Sequence, residues 1–163
     1  MIEHVDALPP GTWEQLTDGE ENPFGIDEFE WREKDWHTLL RDDDDGRAVA
    51  SVGLTLADVE VGEHRFGVVG VGGVIVTRSR RGEGLLRPAL EAALERAATL
   101  GPDTAMLFCS LEKVPLYERF GFVHADANVV AGGQTMRPRF MWRPLRPGAT
   151  WPSGDVNLPR LPF

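Results

Sequence analysis

The stretch Val74-Ile75-Val76-Thr77-Arg78-Ser79-Arg80-Arg81-Gly82-Glu83-Gly84-Leu85-Leu86 holds the residues best suited to chemistry. An apolar run ends, a basic turn with two glycines follows, and apolar residues then recur at helical spacing. A helix start of this kind attracts anions, because its first amides have no intrahelical acceptor and the helix dipole is positive there. Gly82 and Gly84 let the backbone approach a phosphate closely, and Arg78, Arg80 and Arg81 add positive charge. Spacing alone fits a plain strand-to-helix turn with surface arginines equally well. The turn lacks Gly-Lys-Ser/Thr and carries a single Gly-x-Gly, so it is neither a nucleoside-triphosphate loop nor a dinucleotide fingerprint.

Tyr117 is the one tyrosine in the chain. Its hydroxyl suits general acid chemistry, although packing with a satisfied hydroxyl is the commoner use of a lone tyrosine. Ser110 lies just past an apolar run and is a second hydroxyl candidate. Cys109 reads as a small packed residue, since a nucleophilic role requires an adjacent base and none is evident. Asp42-Asp43-Asp44-Asp45-Gly46 reads as a solvated hairpin turn. Consecutive aspartates project in different directions and lack ordered ligand spacing, so no metal is expected.

These groups need a scaffold. Ile2 to Ala7 predicts a short strand, and Thr12 with Gln15 forms a capping box for a short helix ending near Asp18-Gly19. Gly19 to Phe29 reads as a loop. His37 to Arg41 and Arg47 to Leu56 flank the aspartate turn as strands, with Val59 to Phe66 as another. Val68 to Val76 reads as a central buried strand, in which Gly70, Gly72 and Gly73 mark a bulge or a close backbone approach. Leu86, Leu90, Ala93, Leu94, Ala97 and Leu100 form one helical face, stopped by Gly101-Pro102. Thr104 to Cys109 predicts a second buried strand, and Ser110 caps a short helix running to Phe120. Val123 to Val130 and Arg137 to Trp142 pair as final strands. The proline-rich end from Pro144 is expected to lie extended over the surface. The order predicts an α+β fold: a mixed, mostly antiparallel sheet with one central parallel strand–helix–strand crossover and flanking helices.

The chain has 163 residues, 42% hydrophobic and 26% charged, which suits one soluble domain. No apolar run is long enough for a membrane helix. The acidic start does not resemble a secretory signal, and a single cysteine excludes an internal disulfide, so a cytoplasmic location is expected. A net charge of −9 makes nucleic acid a poor partner and is compatible with a cationic one, although acidity also serves solubility alone.

Arg81-Gly82-Glu83-Gly84-Leu85-Leu86 resembles the acetyl-CoA pyrophosphate motif of the GNAT acetyltransferase family, which reads Arg/Gln-x-x-Gly-x-Gly/Ala. Leu86 departs from it where a small residue is usual. Leu116-Tyr117-Glu118-Arg119-Phe120-Gly121-Phe122 resembles the family's Tyr-x-x-x-Gly-Phe helix and turn. Together the two motifs span residues 68 to 123. The resemblance implies a single N-acetyltransferase domain: acceptor-side elements over 1–67, an acetyl-CoA core over 68–123, C-terminal strands over 124–145 and the tail over 146–163. It implies that Val74, Ile75, Val76, Arg81, Gly82, Glu83, Gly84, Leu85 and Leu86 contact acetyl-CoA, the acyl donor. It also implies that Tyr117 is the general acid, with Ser110 assisting, and that no metal is used.

Many relatives carry a strand glutamate where this chain has Gly72. A base, if needed, comes from elsewhere, with Glu28, Glu30, Asp35, His37, His64 and Asp155 as candidates. Trp13, Trp31 and Trp36 fall where the family builds its acceptor pocket, and Glu30, Trp36 and Asp155 are the substrate candidates. The layout is somewhat similar to aminoglycoside 2′-N-acetyltransferases, including Trp151 and Gly154-Asp155-Val156. The implied activity is acetyl transfer to the primary amine of a small, cationic acceptor, with no nucleic acid or membrane partner and a homodimer left open. A catalytically silent acyl-CoA-binding module and a protein N-acetyltransferase are the alternatives.

Overall fold

A computed structural model describes residues 1–26 and 28–163; Asp27, inside the expected loop from Gly19 to Phe29, lies outside the described residues. In chain order the elements are β1 (Ile2–Val5), α1 (Thr12–Thr17), β2 (Trp36–Arg41), β3 (Ala48–Val61), β4 (His64–Val76), α2 (Leu86–Ala97), β5 (Thr104–Cys109) and α3 (Val114–Glu118). Five short strands follow: β6 (Val123–His124), β7 (Val129–Ala131), β8 (Gln134–Thr135), β9 (Arg139–Pro144) and β10 (Val156–Leu158). They build one mixed sheet ordered β6-β9-β5-β4-β3-β10-β7-β8, with β2 also paired to β3 and β1 to β2. This is the α+β arrangement expected, with β4–α2–β5 as the parallel crossover.

The core has two sides, set by strand alternation. On one face α2 presents Ala89, Leu90, Ala93, Leu94 and Ala97 to Val69, Val71, Ala105 and Leu107. On the other, Val68, Met106 and Phe140 pack with the C-terminal residues Val156, Leu158 and Phe163. The helix α1 seals the end of β4, where Leu16 meets Leu39, Ala48 and Ile75.

Four local expectations are corrected. Thr12 is not a capping residue: Gly11, at a left-handed φ of 77°, precedes α1, and the Gln15 side chain instead accepts the Ala48 amide at 2.9 Å. Val59 to Phe66 is not one strand, because the chain turns at Gly62, with a φ of 58°, and pairs β3 with β4 as a long hairpin. Val123 to Val130 breaks into β6, which joins β9, and β7, which joins β8 and β10. The tail is not merely draped over the surface, since β10 enters the sheet between β3 and β7, burying Val156 and Leu158. Pro147, Pro152, Pro159 and Pro162 lie outside the paired residues and take no donor from a ladder, while Pro144 is the last residue of β9, opposite Thr104.

Candidate active site

The site begins where two strands part. Strands β4 and β5 pair in parallel only from Val69↔Ala105 to Val71↔Leu107. Beyond Val71, β4 continues along β3 to Val76, so its other edge is unpaired. Gly73, at a φ of 57°, makes a bulge: Ser51 faces Ile75 while Gly53 faces Gly72. Alternation then fixes which amides face the free edge. Thr77 donates to the Val49 carbonyl, so Thr77 and Ile75 turn their backbone groups to β3. Val74 and Val76 turn theirs to the gap, and the Val76 carbonyl there accepts Arg81 Nε at 3.1 Å. Ile75, expected beside them, faces away: its amide points at β3 and its side chain is buried under α1.

The turn after Val76 is an open cradle. A 3₁₀ turn spans Arg78–Arg80, then Gly82 and Gly84 adopt left-handed φ values of 87° and 79°. Among the described residues, the amides of Gly82, Glu83, Gly84 and Leu85 have no protein acceptor, and Leu85 brings no side-chain cap to α2. A Cβ at Gly82 or Gly84 would meet nothing within 4 Å, so open space lies beside these two residues. Leu86, whose bulk departs from the motif, turns inward against the core and leaves the cradle free.

The arginines of this turn are clasped by carboxylates. Arg80 pairs with Asp42 and with Glu83 at 2.8 Å, and Arg81 pairs with Glu20 at 2.5 Å. Asp18 accepts the Ser79 amide at 3.2 Å. The hydrogen bond from Ser79 lowers the Asp18 pKa, Arg81 lowers that of Glu20, and Arg80 lowers that of Asp42. The aspartate turn is therefore more than a solvated loop: Asp42 is a strut for the cradle.

The gap between β4 and β5 opens a cavity of about 180 Å³ that joins the two faces of the sheet. Tyr117 and Cys109 reach it from the α2 side, and Trp31, Phe108 and Phe163 from the other. Tyr117 is buried, and desolvation, then the neighbouring Cys109, raises its hydroxyl pKa well above the ordinary value, so it keeps its proton at neutral pH. Ser110 lines the cavity with a buried hydroxyl that has no hydrogen-bond partner among the described residues. It does not cap the helix after β5 as expected. Burial pushes the Cys109 thiol up to about 11, which makes it a poor nucleophile, and its Sγ lies 3.7 Å from Met141 Sδ.

The other expected residues scatter. Trp31 walls the cavity, and Trp13 stacks at 6.1 Å on Phe24, which also lines it. Trp36 instead packs on the α2 side, with the Arg96 guanidinium 6.0 Å from its ring centre. Asp155 lies near the far end of β3, accepting from Asn128 at 3.2 Å, and Glu30 has its backbone bound to Gln134. Glu28 pairs with Arg137 at 3.4 Å, and Asp35 accepts the Leu56 amide at 2.8 Å. His64 sits at the distal hairpin, and half-buried His37 has a pKa lowered by burial and then by Lys34. Trp36, Glu28, Glu30, Asp35, His37, His64 and Asp155 do not line the cavity.

The residue missed in the sequence is Lys34. Its stem crosses the sheet where side chains are absent. A Cβ on Gly53 would lie 2.9 Å from Lys34 Cδ, and one on Gly72 would lie 3.0 Å from Cε. Lys34 Nζ donates to the Arg32 carbonyl at 3.1 Å, and burial lowers its pKa to about 8. Phe163 fills the space above Gly70, and its main chain lies over Gly72, 2.7 Å from where a Cβ would be. The close approach expected at these glycines is thus made by the protein itself. The glycines were the only sequence signal for it, because Glu33-Lys34-Asp35 reads as a plain charged triplet.

The sequence profile of the acetyltransferase (GNAT) domain matches residues 15–125. The chain belongs to the GNAT acetyltransferase family. Its fold is similar to that of a GNAT N-acetyltransferase from Escherichia coli solved with CoA, at 20% identity and a TM-score of 0.65, over 97% of this chain and 88% of that one. It is also similar to a GNAT acetyltransferase from Brucella melitensis solved with acetyl-CoA, at 20% identity and a TM-score of 0.62, over 96% and 94% of the two chains. Escherichia coli ElaA matches at 23% identity and a TM-score of 0.57, over 88% and 99%. A comparison with curated protein sequences finds no match. GNAT membership makes the chain an acyl-CoA-dependent N-acyltransferase. No helix among the described residues is long and apolar enough to cross a membrane, and no cluster of His, Cys, Asp or Glu there is arranged to hold a metal.

Proposed function

We propose that this GNAT protein moves an acetyl group from acetyl-CoA to the primary amine of a small acceptor by direct attack. The observation that carries the reading is the free edge of β4, which leads from the cavity of Tyr117 to the amide cradle at Gly82–Leu85. The pantetheine arm pairs with the Val74 and Val76 backbone as an added strand. The diphosphate accepts from Gly82, Glu83, Gly84 and Leu85, and the adjoining residues Arg81 and Leu86 hold that turn in place.

The chemistry follows from this placement. The Val74 amide donates to the thioester oxygen and stabilises the charge that develops there. The neutral amine attacks the carbonyl carbon, so the N–C bond forms and the C–S bond breaks. Tyr117 gives its proton to the departing sulfur, and the proton that the amine nitrogen loses as the amide forms returns to Tyr117 through solvent. The Ser110 hydroxyl, without a partner among the described residues, is a second donor facing the same cavity.

The net charge of −9 favours a cationic acceptor at long range. The cavity holds Lys34 and Lys113, two cations that oppose a polycation at close range. The test is calorimetric titration with CoA, followed by thiol release from acetyl-CoA across a panel of amines. Absence of CoA binding would sink the proposal.

A further inference from the structure

Phe163 sits where strand β4 has no side chains to offer. Gly70 and Gly72 alternate onto the same face of β4, and together they leave a trough along its backbone. Phe163 fills that trough. A Cβ on Gly70 would lie 2.4 Å from the Phe163 ring, and one on Gly72 would lie 2.7 Å from the Phe163 main-chain carbon. The residue is 2% exposed. Its segment is held from two directions: the Arg32 amide donates to the Pro162 carbonyl at 2.8 Å, and the Gly132 amide donates to the Leu158 carbonyl at 3.0 Å. The Phe108 ring centre lies 5.7 Å from that of Phe163 and 6.3 Å from that of Trp31. These three rings wall the cavity on the side away from α2.

The wall decides what can reach a thioester in the gap. Tyr117 and Cys109 occupy the α2 side, where the leaving sulfur needs its proton, so an acceptor comes in from the aromatic side. Space there is scarce. The cavity holds about 180 Å³, below the roughly 300–1,000 Å³ of a pocket for a drug-sized ligand, and the acetyl end of the donor takes part of it. Close-packed rings yield little to an oversized guest. Their surfaces favour methylene groups, while Lys34 and Lys113 oppose a second positive charge.

We infer that the acceptor presents its primary amine on an unbranched, apolar alkyl arm and that Phe163 sets the width of the slot admitting this arm, a reading that depends on the acetyltransferase assignment of the same cavity. Phe163 determines specificity and takes no part in the chemistry. A smaller side chain at position 163 leaves the trough open, because neither Gly70 nor Gly72 can fill it, and a thicker amine then fits.

The experiment compares two primary amines of similar apolar content, n-hexylamine and the thicker cyclohexylmethylamine, as acceptors. The wild-type protein should prefer n-hexylamine by about tenfold or more in kcat/KM. Phe163→Ala should shrink that ratio by about tenfold, through a lower KM for cyclohexylmethylamine, and Phe163→Leu should fall between the two. Thermal melts confirm that the variants fold, and if Phe163→Ala does not, Phe163→Leu carries the test. A structural defect alone lowers use of both amines together and leaves their ratio unmoved. No preference in the wild-type protein, preference for the thicker amine, acetylation of neither amine by protein that binds CoA normally, or an unmoved ratio in the folded variants would each overturn the inference about Phe163. Titration of the wild-type protein with CoA alone reports separately on the acetyltransferase reading: failure there removes the donor site itself.

Discussion

Glu20 grips Arg81 across 61 residues of chain, with oxygen and nitrogen 2.5 Å apart. The same guanidinium donates through Nε to the Val76 carbonyl. One side chain therefore ties the loop after α1 to the free end of β4 and to the turn that follows it. The basic residues of the motif serve first to shape the cradle, and the backbone amides are what it offers to a ligand.

That division of labour predicts a response to acid. Asp18, Glu20 and Asp42 have pKa values below their ordinary ones in the folded protein. A carboxylate with a depressed folded pKa stabilises the protein above its unfolded value, near 4, and loses that contribution as pH falls through the lower folded value. The melting temperature should drop between pH 5 and pH 3. The double variant Glu20→Gln, Asp42→Asn should start lower and drop less; parallel curves would mean that these groups do not hold the turn.

Gly84 sits at a φ of 79° with open space beside it. Gly84→Asp should cost about 1 kcal/mol in folding but abolish binding of acetyl-CoA, since it places a carboxylate before the donor amides. Calorimetry on the folded variant decides this, and unchanged affinity would move the diphosphate elsewhere.

Tyr117 keeps its proton because burial raises its pKa. Tyr117→Phe should lower kcat by about 10²-fold with CoA affinity nearly unchanged. Single-turnover rates at saturating acetyl-CoA provide the check. Full activity in this variant would shift the proton donor to Ser110 or water.

Phe163 lies where any side chain at position 70 would have to go. Gly70→Ala should therefore push Phe163 out of its seat, destabilising the fold by about 1–3 kcal/mol and speeding proteolysis of the last residues. Wild-type melting and cleavage rates in the variant would show that the segment yields without cost.

The sequence by itself determined the strand–turn–helix unit from Val68 to Ala97 and the strand and short helix leading to Tyr117. Apolar periodicity, glycine placement and helix stop signals act over a few residues, so neighbours in the chain suffice to specify them. Tertiary structure decided the rest. It split β4 from β5 after Val71, drew β10 into the sheet, set Asp42 and Glu20 against Arg80 and Arg81, and laid Lys34 across three glycines. Trp36, Glu30 and Asp155 left the site for the same reason. Each of these outcomes depends on which distant surface fills a given space. Strand register and close packing set that, and no local pattern encodes either.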